Sequence, residues 1–459
     1  MSIRKILIAN RGEIALRVIR TCREMGIKTV VVYSEADASS FHVKEADEAY
    51  CIGPEGSQNS YLNISKIMAK AMVAHVDSIH PGYGLLSENP KFAEACERYG
   101  FKFIGPRAGT IEAIGNKVNV KKIAKTLNIP TIPGSSTPVQ TLEEAEAIAE
   151  RIGYPILIKP AAGGGGRGLR VVYDKRTLKE YLEASRREAS LSFAFAGVLI
   201  EKYLEKPRHI EVQILADQYG NVVHLGERDC SIQHKYQKLI EESPSPVITK
   251  EQREKVTGLA LKLAKGINYT NAGTAEFLMD QQGNFYFIEM NCRIQVEHPV
   301  TEMVTGIDIV KEQINIAAGK PLAFSQKDIK FNGWALECRI NAKDPQFGFR
   351  PNTGTITAYK KPKQGNVRID DYIYSGYTIP MYYDSLISKV ITWGQNREEA
   401  MENMKNALEQ YQLEGIKTTI PFHKFILAHP VFIKGGAYTT FVEEILTETP
   451  GFREDAVNS

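Results

Sequence analysis

The chain has 459 residues, 43% of them apolar and 24% charged, with a net charge of +3. At roughly 150 residues per domain, that is about three domains with ample core. So small a net charge gives no reason to expect nucleic acid or an acidic membrane surface as a partner, and no apolar run approaches the roughly 18 residues of a membrane span. The six scattered cysteines form no C-x-x-C pair, which excludes zinc-finger and dithiol-redox spacing and points to reduced thiols in a cytoplasmic protein. The opening "MSIRKILIANRGE" breaks its apolar run too early for a signal peptide.

The first elements alternate between strand and helix. "KILIAN" reads as a strand, and "GEIALRVIRTCREMG" as a helix with Ile14, Val18 and Cys22 at helical spacing and Gly26 as its stop. "KTVVVY" is a second strand, and the pattern continues through "YLNISKIMAKAMVAHV" and "DSIHPGYG". Residues 1–115 are therefore expected to form an open α/β domain on a parallel sheet. A linker helix and turn over 116–138 ends in the Pro-, Gly- and Ser-rich "LNIPTIPGSSTP". Residues 139–204 read as a small α/β unit, 205–330 as a strand-dominated core, and 331–459 as a mixed α+β region. No internal repeat or low-complexity tract is evident.

Within the small unit, "PILIKPAAGGGGRGLRVV" places Gly163, Gly165 and Gly168 in a formal G-x-G-x-x-G match. A dinucleotide fingerprint opens a helix, whereas "LRVVY" is a strand, so the loop is expected to join two strands as a flap. Bare glycine N–H groups can wrap phosphate oxygens, and Lys159 at the end of the preceding strand supplies a positive charge. The alternative is a surface hairpin with no ligand.

Further on, "GTAEFLMDQQGNFYFIEMN" reads as a hairpin turning at "DQQGN", with Gly283 free to take φ > 0. Counting outward sets Glu276 opposite, or within a residue of, Glu289. Both lie inside apolar runs, where facing carboxylates repel and unpaired burial is costly. A shared divalent cation removes both problems, and with Asn291 as a third oxygen ligand Mg²⁺ or Mn²⁺ suits the set. Two solvent-facing glutamates on a sheet edge are the bland alternative. The following "MNCRIQVEH" keeps polar residues at every second position (Asn291, Arg293, Gln295, Glu297), one polar wall if the chain stays extended. "GERDCSIQHKYQKLIEESP" gathers Arg228, Gln233, His234, Lys235, Gln237 and Lys238 in what reads as a loop-like stretch. His209 starts a strand in "PRHIEVQIL", and Arg339 lies in the strand "ECRINAKDP".

Taken together, "IANRGEIALRVIR", "IHPGYGLLSEN", "GGGGRG", "EKYLEKPRHIEVQ", "GERDCSIQ", "FIEMNCRIQVEHPVTEM", "ECRINA" and "YYDSLISK" resemble the ATP-grasp superfamily, and within it biotin carboxylase. The resemblance covers essentially the whole chain. It implies an ATP-grasp fold whose small glycine-rich lid domain is residues 139–204, and whose catalytic core is 205–330. The activity it implies is ATP- and magnesium-dependent carboxylation of biotin on a separate carrier protein, with bicarbonate and a carboxyphosphate intermediate. By the resemblance, Lys117, Lys159 and the loop Gly164, Gly165 and Gly166 meet ATP phosphates. Glu201, Lys202, Tyr203 and Leu204 hold the adenine, and His209 and Gln233 reach the ribose. Glu276, Glu289 and Asn291 hold the metal. Lys238, Arg293, Gln295 and the Val296 backbone line the bicarbonate site, with Glu297 as base and Arg339 stabilising the biotin enolate. Tyr236 stands where the family has a nucleotide-contacting histidine. Cys292 replaces a threonine or proline, and "PKQGNVRI" lacks the usual paired glycines. No "MKM" biotin-acceptor motif is present, so a biotin carboxyl carrier protein and carboxyltransferase subunits are expected as partners, together with a homodimer. Another ATP-grasp ligase and a non-catalytic nucleotide-binding module stay open at this point, and a dehydrogenase is disfavoured by the strand after the glycine loop.

Overall fold

The computed structural model describes residues 3–160, 169–193, 197–362 and 365–449. The N-terminal strands form a wholly parallel five-stranded sheet in the order Glu48–Cys51, Lys28–Tyr33, Lys5–Ile8, Ser78–His80, Lys102–Phe103. Its central strands are apolar on both sides because both faces are covered. Ile6, Ile8 and Val31 pack on Ile14, Val18 and Cys22 of the helix Gly12–Glu24, while Leu7, Val30 and Val32 pack on Ile67, Met68 and Phe92. The helix stops where expected, with Gly26 at φ 67°.

The small unit is an antiparallel three-stranded sheet with Ile156–Pro160 between Arg170–Val172 and Val198–Lys202. The helix Leu142–Ile152 opens with a capping box, Thr141 and Glu144 exchanging bonds, and shares a core with Leu178 and Leu182 of Lys175–Phe193. The glycine run thus connects two antiparallel strands, as its flanks predict. Gly164, Gly165 and Gly166 themselves lie outside the described residues.

The largest element is an eight-stranded antiparallel sheet. Its order is Phe285–Asn291, Asn271–Met279, Arg208–Ala216, Val222–His234, Gln237–Ser243, Trp334–Asn341, Leu386–Gly394, Val367–Asp371. Gln237–Ser243 pairs with Trp334–Asn341, so one sheet runs from the catalytic-core segment into the C-terminal segment. One face of its first strands, including Ile210, Val212 and Phe277, packs on Val256, Ala260 and Leu263 of the helix Lys250–Gly266.

One expectation is corrected here. The stretch 226–244 is not a loop but two long strands turning at Lys235 and Tyr236, whose φ angles are 49° and 64°. Two consecutive positive φ values make the tight turn that matches strand twist, and no glycine marks it in the sequence. Among the described residues, no helix is long and apolar enough to cross a membrane.

Candidate active site

A cavity of about 900 Å³ opens where the three sheets meet. The eight-stranded sheet supplies one wall, the strands around Lys159 and Glu201 a second, and the loops after the N-terminal strands a third. Lys159, Glu201, Lys202, Tyr203, Leu204, His209, Gln233, Tyr236, Lys238, Glu276, Glu289, Asn291, Arg293, Gln295, Val296, Glu297 and Arg339 all line it. Of the residues singled out from sequence, Lys117 opens the helix Lys117–Thr126, but its side chain lies outside the description, as does the glycine run.

At one end, Glu201 pairs with Lys159 at 2.6 Å and with Lys121. Lys121 was not anticipated, though it lies four residues after Lys117 and so on the same helical face, a signal the sequence did carry. Lys202 turns its ammonium onto the carbonyls of Tyr154 and Gly153, at 2.8 and 3.1 Å, so that side chain is already engaged. His209 Nδ1 and the Gln233 amide are 3.0 Å apart.

The hairpin sets Glu276 in register with Glu289, with an irregularity between Glu276 and Phe277. The expectation that the two carboxylates are unpaired fails, most visibly at Glu276. It receives Lys238 Nζ at 3.1 Å, Asn291 Nδ2 at 2.8 Å and Gln295 Nε2 at 3.0 Å, and lies 3.1 Å from His209 Nε2. Burial alone would raise its pKa, but Lys238 and His209 outweigh burial and hold the carboxyl well below the usual range. The donor set still fits a hard divalent cation, since two register-paired carboxylates face the cavity. Asn291 fits less directly, because its Oδ1 accepts from Arg293 Nη2 at 2.9 Å.

After Asn291 the chain leaves the strand, so the polar residues do not form one flat wall. The bend folds Arg293 and Gln295 back toward Glu276 and carries Glu297 to the start of the helix His298–Thr305. Arg293 is clamped by Glu88 at 3.0 Å and by Gln295 Oε1 at 2.7 Å, and the same Glu88 accepts from the Cys292 N–H at 2.9 Å.

Beyond this lies a closed network of buried charge. Lys238 Nζ meets Glu211 at 2.6 Å and Glu297 at 2.6 Å in addition to Glu276. The groups His209–Glu211–Glu276 and Glu211–Cys230–Glu297 each bring ligand atoms within 4.8 Å, yet this ammonium bonds three of their carboxylates and supplies the positive charge there. Arg339 bridges Glu241 at 2.5 Å and Glu297 at 2.7 Å. Arg228, wholly buried, donates to Glu211 at 2.5 Å, to Gln213 at 2.8 Å and to Thr301 at 3.0 Å. Burial opposes the charge on Lys238, but Glu211, Glu276 and Glu297 win and keep it protonated well above its usual range. Glu297 is driven the other way: burial would raise it, but Lys238, Arg339 and Arg228 hold it well below. Burial pushes Glu241 up to about 7 against the pull of Arg339. Glu88, Glu211, Arg228 and Glu241 were not singled out for these roles. They arrive from other strands and loops, with no local motif to mark them.

Three family models match in succession: Biotin carboxylase, N-terminal domain, over 2–111; Carbamoyl-phosphate synthase L chain, ATP binding domain, over 116–325; and Biotin carboxylase C-terminal domain over 337–444. The chain is 52% identical over 442 residues to "Biotin carboxylase 1" of Bacillus subtilis, covering 96% of this chain and 98% of that protein. It is 53% identical over 445 residues to the "Biotin carboxylase" of a Nostoc species, covering 97% and 100%. Among solved structures, the biotin carboxylase domain dimer of Hydrogenobacter thermophilus 2-oxoglutarate carboxylase, in complex with MgADP, ADP and bicarbonate, superposes with a TM-score of 0.93 at 50% identity. That match covers 97% of this chain and 98% of the other.

Proposed function

The chain belongs to the biotin carboxylase family, whose members carboxylate biotin at the expense of ATP, and from that premise we propose how its residues divide the reaction. The match over 337–444 is to a biotin carboxylase domain, which another ATP-grasp ligase would not account for. The observation that carries the division of labour is the single cavity with a lysine–glutamate pair at one end and the Lys238–Glu297–Arg339 network at the other.

The segment Glu201 to Leu204 holds the adenine by its backbone and apolar side chains, and His209 and Gln233 meet the ribose. Tyr236 lines the same end of the cavity, at the position where the family resemblance implies a histidine. Lys117, Lys159 and the glycine run meet the phosphates. When the phosphates arrive, Lys159 exchanges its Glu201 partner for phosphate oxygens. Glu276 and Glu289, with Asn291 beside them, would hold a magnesium or manganese ion, which neutralises charge building on the phosphoryl group.

Bicarbonate binds between Arg293, Gln295, Lys238 and the Val296 backbone. Lys238 and Arg339 hold the proton affinity of Glu297 down. Once the bicarbonate anion draws on Lys238, Glu297 shares that counter-charge and its affinity for a proton rises. The substrate thus activates its own base. Glu297 takes the bicarbonate proton, and the carbonate oxygen displaces ADP at the γ-phosphorus to give carboxyphosphate. Its breakdown yields CO₂ and phosphate, and phosphate removes the biotin N–H proton. Arg339 stabilises the enolate that forms, and CO₂ then attaches at that nitrogen.

The biotin belongs to a separate carrier protein, and a carboxyltransferase completes the assembly. A homodimer is the expected state, as in the Hydrogenobacter domain dimer. The experiment is ATP cleavage by the purified chain with bicarbonate and free biotin added singly and together. Cleavage that requires bicarbonate and yields carboxybiotin supports the reading, and bicarbonate-independent cleavage contradicts it.

A further inference from the structure

The turn that carries Glu297 is held from behind. Lys389, on the strand Leu386–Gly394, is fully buried between Arg339 and Asp370 of the neighbouring strands. Its Nζ donates to the Val296 carbonyl at 2.8 Å and lies 3.1 Å from Glu13 Oε1. Glu13 is in the first turn of the helix Gly12–Glu24, and the same oxygen accepts from the hydroxyl of Tyr83, which lines the cavity. Glu337, one strand away, does not serve as the counter-ion. Both its buried oxygens lack a hydrogen-bond partner among the described residues, whereas Glu13 meets the ammonium directly. One ammonium therefore ties together the parallel-sheet domain, the 292–297 turn and a C-terminal strand.

The carbonyl it holds is one peptide bond from Glu297. That bond is planar and trans, so fixing its oxygen fixes the opposing N–H and the direction in which the chain leaves toward the Glu297 side chain. A buried carbonyl without a donor is costly, so the ammonium selects one orientation over the flipped one. We infer that Lys389, paired with Glu13, is a positioning residue for the bicarbonate end, setting the Val296–Glu297 peptide so that the Glu297 carboxylate meets Lys238, Arg339 and the incoming anion. Lys389 touches no substrate and acts only through that peptide. The inference rests on the reading of Glu297 as the base.

The full chain and two variants decide it. In Lys389→Met, kcat/KM for bicarbonate is expected to fall roughly 10- to 100-fold, the scale of one buried charged hydrogen bond, while ADP binding stays within about twofold. Amide exchange is expected to quicken over 292–298 and not around 201–204. Glu13→Gln keeps the size and an acceptor for Tyr83 but removes the counter-ion. It is expected to give the same selective loss at roughly 3- to 10-fold, and it decides the matter if Lys389→Met does not fold. Unchanged bicarbonate kinetics in folded Glu13→Gln, or equal losses of nucleotide affinity and bicarbonate kcat/KM, would overturn the inference. If the unmodified enzyme itself showed no bicarbonate-dependent cleavage, the reading of Glu297 would fall instead. Exchange over 292–298 would still report whether Lys389 holds the peptide.

Discussion

The two ends of the cavity keep their charges in different ways. At the end proposed for the nucleotide, Lys159 and Lys121 share one carboxylate, Glu201, on a small three-stranded sheet next to the glycine run. At the end proposed for bicarbonate, Lys238, Arg339 and Arg228 face Glu211, Glu241 and Glu276 across adjoining strands of the eight-stranded sheet, and Glu297 at the start of the helix His298–Thr305. The first arrangement suits an exchange of partners, because phosphate oxygens can take the place of the shared carboxylate on either lysine. The second suits a fixed geometry in which only protons move, the preorganised electrostatics that charge-developing reactions need.

The largest expected effect comes from breaking the fixed end at its centre. Glu297→Gln keeps the shape and removes the base, so bicarbonate-dependent ATP cleavage and biotin carboxylation should fall together by about 10²–10⁴-fold. Steady-state assays of both products check this, and normal ATP cleavage would remove Glu297 from the first step. A smaller loss is expected where the two ends meet. Replacing Glu276 or Glu289 by Gln should raise the magnesium requirement and lower ATP cleavage roughly 10- to 100-fold, read from magnesium titrations. Wild-type magnesium dependence in both variants would show that neither holds the ion.

The smallest effects are on stability against pH, and they have opposite signs in two places. Burial pushes Glu241 up to about 7, so the folded chain binds the extra proton between the ordinary carboxyl range and pH 7. Its stabilising contribution is full below about pH 4.5 and is lost as pH rises through about 7. Burial pushes His42 down to about 4, so its contribution is present above about pH 6.5 and is lost as pH falls toward 4. Glu241→Gln should flatten the first slope and His42→Phe the second, each by no more than roughly 3 kcal/mol across its window. Denaturant melts at several pH values separate them. Parallel slopes in the variants and the parent would mean that neither group titrates on unfolding.

What the sequence made legible follows from how local each feature is. The helix stop at Gly26, the parallel pattern of the first strands and the hairpin that sets Glu276 against Glu289 all rest on neighbours a few residues apart. The Lys235–Tyr236 turn was missed because neither residue advertises a positive φ. The alternating polar residues make one wall only if the chain stays extended; it bends after Asn291, which sets Arg293 on Asn291 and brings Gln295 back to Glu276. Glu241, Glu211, Arg228 and Glu88 were not legible as members of the network around Glu297, Arg339, Lys238 and Arg293, nor was Lys389 as the partner of the Val296 carbonyl. Their contacts depend on packing between distant segments, 98 residues apart for Arg339 and Glu241 on paired strands and 205 apart for Arg293 and Glu88 on loops. Several of the motif residues were identifiable only through the family resemblance, because a lone histidine or arginine in a strand is ordinary.

The central claim is that Glu297 and Arg339, joined by a 2.7 Å ion pair, serve successive steps. The most direct test is the ratio of ADP to carboxybiotin formed by Arg339→Gln at saturating bicarbonate and biotin, beside the parent enzyme. If Arg339 acts on the biotin enolate after carboxyphosphate has formed, carboxylation falls further than ATP cleavage and the ratio rises severalfold. An unchanged ratio, with both products falling in step, would contradict the separation of the two roles.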